Sequence, residues 1–114
     1  MNTRAVGAFY EDMACAFLEK QGLKIIKRNF RVRLGEIDII ALDADELVFI
    51  EVKYRKDKSC GGAEYAISKT KQGKIRRTAQ CFMKMNGYSM STFCRFDAVL
   101  IDGEDITHVK KAWM

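Results

Sequence analysis

The chain has 114 residues, 48% apolar and 31% charged, which suits one globular domain with a buried core and argues against a disordered chain. No stretch approaches ~18 uncharged apolar residues, so a membrane span is not expected, and Met1 to Ala8 lack the apolar region of a signal peptide. The net charge is +5 and proline is absent, which is compatible with a compact fold without a Pro-rich linker.

Val6, Phe9, Tyr10, Met13, Ala14, Phe17 and Leu18 recur at three- and four-residue spacing and predict an amphipathic helix that stops near Gly22. Leu23 to Val32 is rich in Ile, Phe and Val but also basic, and reads as a strand near a sheet edge. Ile37 to Leu42 and Leu47 to Val52 are nearly continuous apolar runs separated by Asp43-Ala44-Asp45-Glu46, a turn signal, so they predict a hairpin. Runs this apolar imply burial on both sheet faces and helices on both sides. Ser59 to Gly62 reads as a loop. Thr70 to Asn86 reads as a helix with Ile75, Ala79, Phe82 and Met85 on one face, ended by Gly87. Phe96 to Ile101 is a further buried strand, and Ile106 to Val109 a short last one. The predicted order is αβββαβ(β).

The charge is segregated. Lys20 to Gly35 carry six bases and no acid, and Tyr65 to Phe96 carry seven bases and no acid. Such clustering is the footprint of a polyanion binder, with nucleic acid favoured over an anionic membrane or an unpartnered solvated face. The cysteines (Cys15, Cys60, Cys81 and Cys94) contain no C-x-x-C pair and His108 is the single histidine, so a structural zinc site is not expected. Cys15 and Cys81 fall within helical patterns and read as buried thiols, in keeping with a reducing, cytoplasmic setting.

The two hairpin strands hold Asp38, Glu51 and Lys53 among apolar neighbours, although charges rarely enter buried strands unless paired or bound to metal. A loop at Ala44-Asp45 sets Asp38 opposite Glu51 and Glu36 opposite Lys53. Opposed residues share a face, and so do Glu51 and Lys53, two residues apart. Two carboxylates and an ammonium then converge. A hard divalent cation would resolve the repulsion, since Mg²⁺ takes one or two carboxylates plus water and phosphate oxygens. The alternative is a buried ion pair of Lys53 with Glu51 or Glu36.

Asp38-x(12)-Glu51-Val52-Lys53 resembles the PD-(D/E)xK nuclease motif of the restriction-endonuclease-like fold. Over a longer span, Gly35 to Ala41, Leu47 to Arg55 and Arg95-Phe96-Asp97, with Arg28-Asn29-Phe30 and Lys71, resemble the bacterial YraN family, which is similar to archaeal Holliday-junction resolvases. The resemblance covers nearly the whole chain and implies one α/β domain over 1–114, an αβββαβ core with a central mixed sheet flanked by helices. It implies a metal site of Asp38, Glu51 and the backbone carbonyl of Val52, a catalytic Lys53, and an acidic residue from the first helix at Glu11. Ile37 stands where the resolvase pattern has a proline, which shapes a turn and supplies no ligand.

The expected activity is Mg²⁺- or Mn²⁺-dependent endonucleolytic cleavage of DNA, branched DNA included. The rivals are a non-catalytic nucleic-acid-binding module and an adaptor for an acidic protein. The expected nucleic-acid contacts are Arg31, Arg33, Arg55, Lys56, Lys71, Lys74 and Arg77, with Lys71 facing inward on the stripe of Ile75, Thr78 and Phe82. A branched junction has symmetric strands, so a homodimer is compatible with this reading. Asp97 beside Arg95 reads as a structural ion pair, Glu36 as a partner of Lys53, Trp113 as a packing residue, and His108 receives no role.

Overall fold

The computed structural model describes residues 3–55 and 67–113. The expected loop 59–62, Cys60 and Lys56 lie outside the described residues. The elements are α1 (Thr3–Lys20), β1 (Lys24–Val32), β2 (Gly35–Asp43), β3 (Glu46–Arg55), α2 (Lys69–Met85), β4 (Cys94–Asp102) and β5 (Asp105–Trp113). The strands form one sheet in the order β1-β2-β3-β4-β5. Only β3 and β4 are parallel; the other neighbours are antiparallel. This is the α/β architecture expected, a mixed sheet with a helix on each face, and it is compatible with a restriction-endonuclease-like core.

Gly22, at φ +95°, ends α1. The N–H of Leu23 donates to the carbonyl of Leu18 and that of Gly22 to Glu19, closing the last turn as a left-handed cap does. Ala14, Cys15 and Leu18 of α1 then pack on Ile39, Ala41, Val48, Ile50, Val52, Val99 and Ile101. On the opposite face Ile75, Ala79, Phe82 and Met83 of α2 pack on Phe30, Ile37, Ile40, Leu47, Phe49 and Phe96. Every residue from Leu47 to Val52 is buried, because β3 is central and covered on both sides. β1 is an edge strand, as its basic exposed positions required.

Four details differ from the sequence reading. Phe9, placed on the apolar stripe of α1, is exposed. Met85 is exposed and Met83 takes the inward place, since four residues from Ala79 fits the 3.6-residue period better at the end of α2 than the 79–82–85 row does. Cys81 is only half-buried. The last strand runs for nine residues, not four. Its pairing with β4 is interrupted between Phe96 and Ala98, opposite Lys111, whose φ is +52°.

That interruption is filled by a charge network. Asp97 is fully buried. Its carboxylate accepts from Nε of Arg95 at 3.0 Å and from the backbone N–H of Lys111 at 3.0 Å, and lies 2.7 Å from Nε2 of His108. Arg95 also reaches Glu46 at 2.8 Å and Asp43 at 2.9 Å, tying the β2–β3 turn to β4. The expected Arg95–Asp97 pair is present, and His108 has a place beside it. Trp113 packs as expected, stacked 4.1 Å from Phe96. Burial alone would raise the Asp97 carboxyl, but the His108, Arg95 and Lys111 donors outweigh it and hold it below the usual range.

Removing one partner of a buried charge network leaves the others uncompensated. Asp97→Asn should therefore lower the urea unfolding free energy at pH 7 by about 3 kcal/mol or more. A depressed native pKa stabilises above the unfolded value, ~3.9, and that gain disappears as pH falls through the native one. The gap between wild type and Asp97→Asn should thus narrow below about pH 4. A gap that stays constant down to low pH would exclude the carboxylate charge as its source.

Candidate functional site

The hairpin register is as the turn dictated: Asp43 pairs with Glu46, Leu42 with Leu47 and Ile39 with Ile50. Pairing then stops, one step before Asp38 and Glu51. Ile37 and Ile40 belong to the α2-side core while Ile39 and Ala41 belong to the α1-side core, so the two-residue alternation of β2 slips once, at Asp38. Asn29 of β1, beside this point, has φ +52°, a conformation asparagine tolerates. Where the ladder opens, the Asp38 carboxylate takes the place of a backbone acceptor: Oδ2 lies 2.8 Å from the N–H of Val52.

Because β2 runs against β3, the start of β2 lies beside the far end of β3. Gly35, Glu36, Asp38 and Glu51 meet Lys71, Lys74 and Ile75 of α2 around a cavity of about 230 Å³. Gly35 permits the close approach of β2 to α2, since a Cβ there would stand 3.0 Å from Oγ1 of Thr78. Ser68 caps α2 by accepting from the N–H of Lys71 at 3.2 Å, which fixes the turn that carries Lys71.

Glu51 is buried and pairs with Lys71, Nζ to Oε1 at 2.7 Å. The alternative reading of the sequence was an ion pair of Lys53 with Glu51 or Glu36; the structure pairs Glu51 with Lys71, which comes across from the helix. Lys53 stands half-buried one step further along the same face of β3. Glu36 is engaged by Arg31 at 3.2 Å, across the β1–β2 pair, in place of the expected Lys53. Burial, then the charge of Glu51 and, further down, those of Glu11 and Glu36, push the Asp38 carboxyl up to about 7, against the pull of the Val52 N–H. Partial burial would lower the Lys71 ammonium, but the hydrogen bond and charge of Glu51, with the charge of Asp38, outweigh it and raise it.

Glu11 projects from α1, 3.8 Å from Arg28, and acts on Asp38 through its charge. Among the described residues no cluster of three or more His, Cys, Asp or Glu forms a ready metal cage. Two carboxylates on one pocket nevertheless suit Mg²⁺, which commonly keeps several waters and takes the rest of its oxygens from substrate phosphate. Val52 uses its N–H on Asp38, while its carbonyl remains the one that the resemblance assigns to a metal.

Of the expected nucleic-acid contacts, Lys71 and Lys74 line the cavity. Arg33 and Arg77 are exposed. Arg31 is exposed and paired with Glu36. Arg55 is drawn into an ion pair with Asp102, and so is less free to follow a phosphate backbone than its place beside the motif implied.

A family model described as "Uncharacterised protein family UPF0102" matches residues 10–101, which include every residue of the cavity wall. The chain belongs to this family. The YraN resemblance is borne out at that level. UPF0102 proteins of Colwellia psychrerythraea and Shewanella loihica are 47% and 45% identical to it, over 95% and 90% of this chain and 84% and 89% of theirs. The UPF0102 protein of Lachnoclostridium phytofermentans is 43% identical over 99% of this chain and 96% of its own length.

The raised Asp38 carboxyl predicts a pH signature in metal-free protein. A native pKa above the unfolded ~3.9 favours folding below that value, and the gain is lost as pH rises through about 7. In Asp38→Asn the amide oxygen still accepts from Val52 but cannot ionise. In EDTA, wild type should lose on the order of a few kcal/mol more than Asp38→Asn between pH 4 and 8. Melting curves that move in parallel would show that Asp38 is not held protonated by its surroundings.

Proposed function

We propose that the protein is a divalent-metal-dependent endonuclease acting on DNA, branched DNA included. The observation that carries this reading is the convergence of Asp38 and Glu51 on one cavity whose opposite wall supplies Lys71 and Lys74. Opposed carboxylates are a costly arrangement for a sheet, and chemistry at a phosphodiester is what they suit.

In this reading Asp38 and Glu51 hold Mg²⁺ or Mn²⁺, which when bound lends Lewis-acid charge to the scissile phosphate. Lys53, on the same face of β3, orients the attacking water, takes its proton, or neutralises charge growing on the phosphate. Lys74, with Arg33 and Arg77, meets the flanking phosphates. Such contacts position a backbone without reading bases, which fits a substrate chosen by shape. Glu11 contributes charge beside Asp38. A second reading, a nucleic-acid-binding module without turnover, is favoured by one observation: Glu51 is already neutralised by Lys71.

Cleavage assays on branched and linear DNA, with and without Mg²⁺ or Mn²⁺, separate the two. Metal-dependent cleavage should fall at least ~100-fold in Lys53→Ala, the scale of losing one electrostatic donor, with binding retained. Cleavage that survives Lys53→Ala unchanged would refute the assignment. Binding without cleavage in wild type would establish the second reading. In either case affinity should fall with salt with a log–log slope of about −4 to −8, if roughly five to nine phosphates are contacted, and Lys74→Glu with Arg77→Glu should weaken it for all sequences alike.

A further inference from the structure

The Lys71 side chain is 44% exposed, while that of Glu51, its partner at 2.7 Å, is 10% exposed. The partner in the wall is fixed; the lysine reaches it from the solvent side. Its backbone is anchored by the Ser68 cap, but its four-carbon stem leaves the ammonium free to swing. Both residues line the cavity with Asp38 and Lys74. An ammonium at hydrogen-bond distance from Oε1 of Glu51 occupies space that a cation coordinated by that oxygen would need, and two positive charges that close repel strongly at the edge of a protein interior.

We propose that Lys71 is a displaceable counter-cation of Glu51: it neutralises that carboxylate in the metal-free protein, yields it to a divalent cation, and then offers its freed ammonium to a phosphate oxygen in the same cavity. This rests on reading Asp38 and Glu51 as a metal site. It makes metal and phosphate binding mutually reinforcing, because the metal releases the lysine that the phosphate uses. Without metal the lysine is sequestered, so the pocket is a poor anion site even though two lysines line it. Linkage then requires bound phosphate to tighten the metal by the same factor.

The test titrates the intact protein with Mn²⁺ by calorimetry, in wild type, Lys71→Met, Lys71→Arg and Glu51→Gln. Methionine keeps the length of the lysine stem without its charge. Lys71→Met should bind Mn²⁺ about tenfold more tightly than wild type, a coupling of ordinary size. Lys71→Arg should bind it less tightly than wild type, since a guanidinium grips a carboxylate with two N–H groups. Glu51→Gln should lose the site. Inorganic phosphate should bind Mn²⁺-saturated wild type about tenfold more tightly than Mn²⁺-saturated Lys71→Met, and the two metal-free proteins about equally.

Mn²⁺ affinity in Lys71→Met equal to or below that of wild type, with Glu51→Gln still abolishing it, overturns the exchange and leaves the metal site standing. No Mn²⁺ binding by wild type or Lys71→Met overturns both. Should Lys71→Met fail to fold, ¹³C NMR of the wild-type lysine ε-carbons decides: the Lys71 resonance must move when Mg²⁺ is added, and a stationary resonance in metal-saturated protein refutes the exchange.

Discussion

Two carboxylates held against one cavity are the constraint around which this end of the molecule is arranged. Asp38 and Glu51 stand at the place where β2 and β3 part, and burial together with their mutual charge pushes Asp38 far above an ordinary aspartate. A sheet does not assemble such a pair for stability, because like charges crowded into a partly buried site are unfavourable. The neighbouring features limit the damage. The Val52 N–H, left without a ladder partner, is satisfied by the Asp38 carboxylate. Lys71 neutralises Glu51 from the helix, and the Ser68 cap sets that helix at the right height. Gly35 lets the two walls come close enough for all of this to meet.

The other end of β3 and β4 handles charge in the opposite way. Arg95 and Asp97 are as buried as any charged groups among the described residues. Each is surrounded by complementary partners: Asp43, Glu46 and Asp97 around the guanidinium, and Arg95, His108 and the Lys111 N–H around the carboxylate. The bulge in β5 that frees the Lys111 N–H is what completes the set. One sheet thus carries charges matched by opposite charges at one end and two crowded carboxylates at the other. Under the proposed function, that contrast assigns the crowded end to chemistry and the other to structure.

Much of the site was legible from residue order alone. Asp38, Glu51 and Lys53 stood out because they interrupt apolar runs, and the Asp43–Glu46 turn set the register that holds as far as Ile39 and Ile50, one step short of Asp38 and Glu51. The inward aim of Lys71 followed from its spacing to Ile75 and Thr78. Its pairing with Glu51 did not, because these residues are 20 apart in sequence and meet only when α2 docks on the sheet. The release of Asp38 from the two-residue alternation was equally hidden, since periodicity assumes the regular strand that breaks there. His108 lacked any local signal; it pairs with Asp97, 11 residues away, because β5 returns antiparallel to β4.

The sequence by itself determined the order of elements, the central part of the faces that α1 and α2 bury (Ala14 and Leu18; Ile75, Ala79 and Phe82), the edge position of β1, the hairpin register and the family. These are encoded in local periodicity, turn chemistry and the motif around Glu51-Val52-Lys53, which act over a few residues. Only the tertiary structure decided the partners of the charges. Glu51 took Lys71 over Lys53, Glu36 took Arg31, and Arg55 took Asp102. Ion pairing depends on distances of a few ångströms between groups that the chain brings together from separate elements. No spacing rule fixes that distance; the packing of α2 against β2 and β3 does.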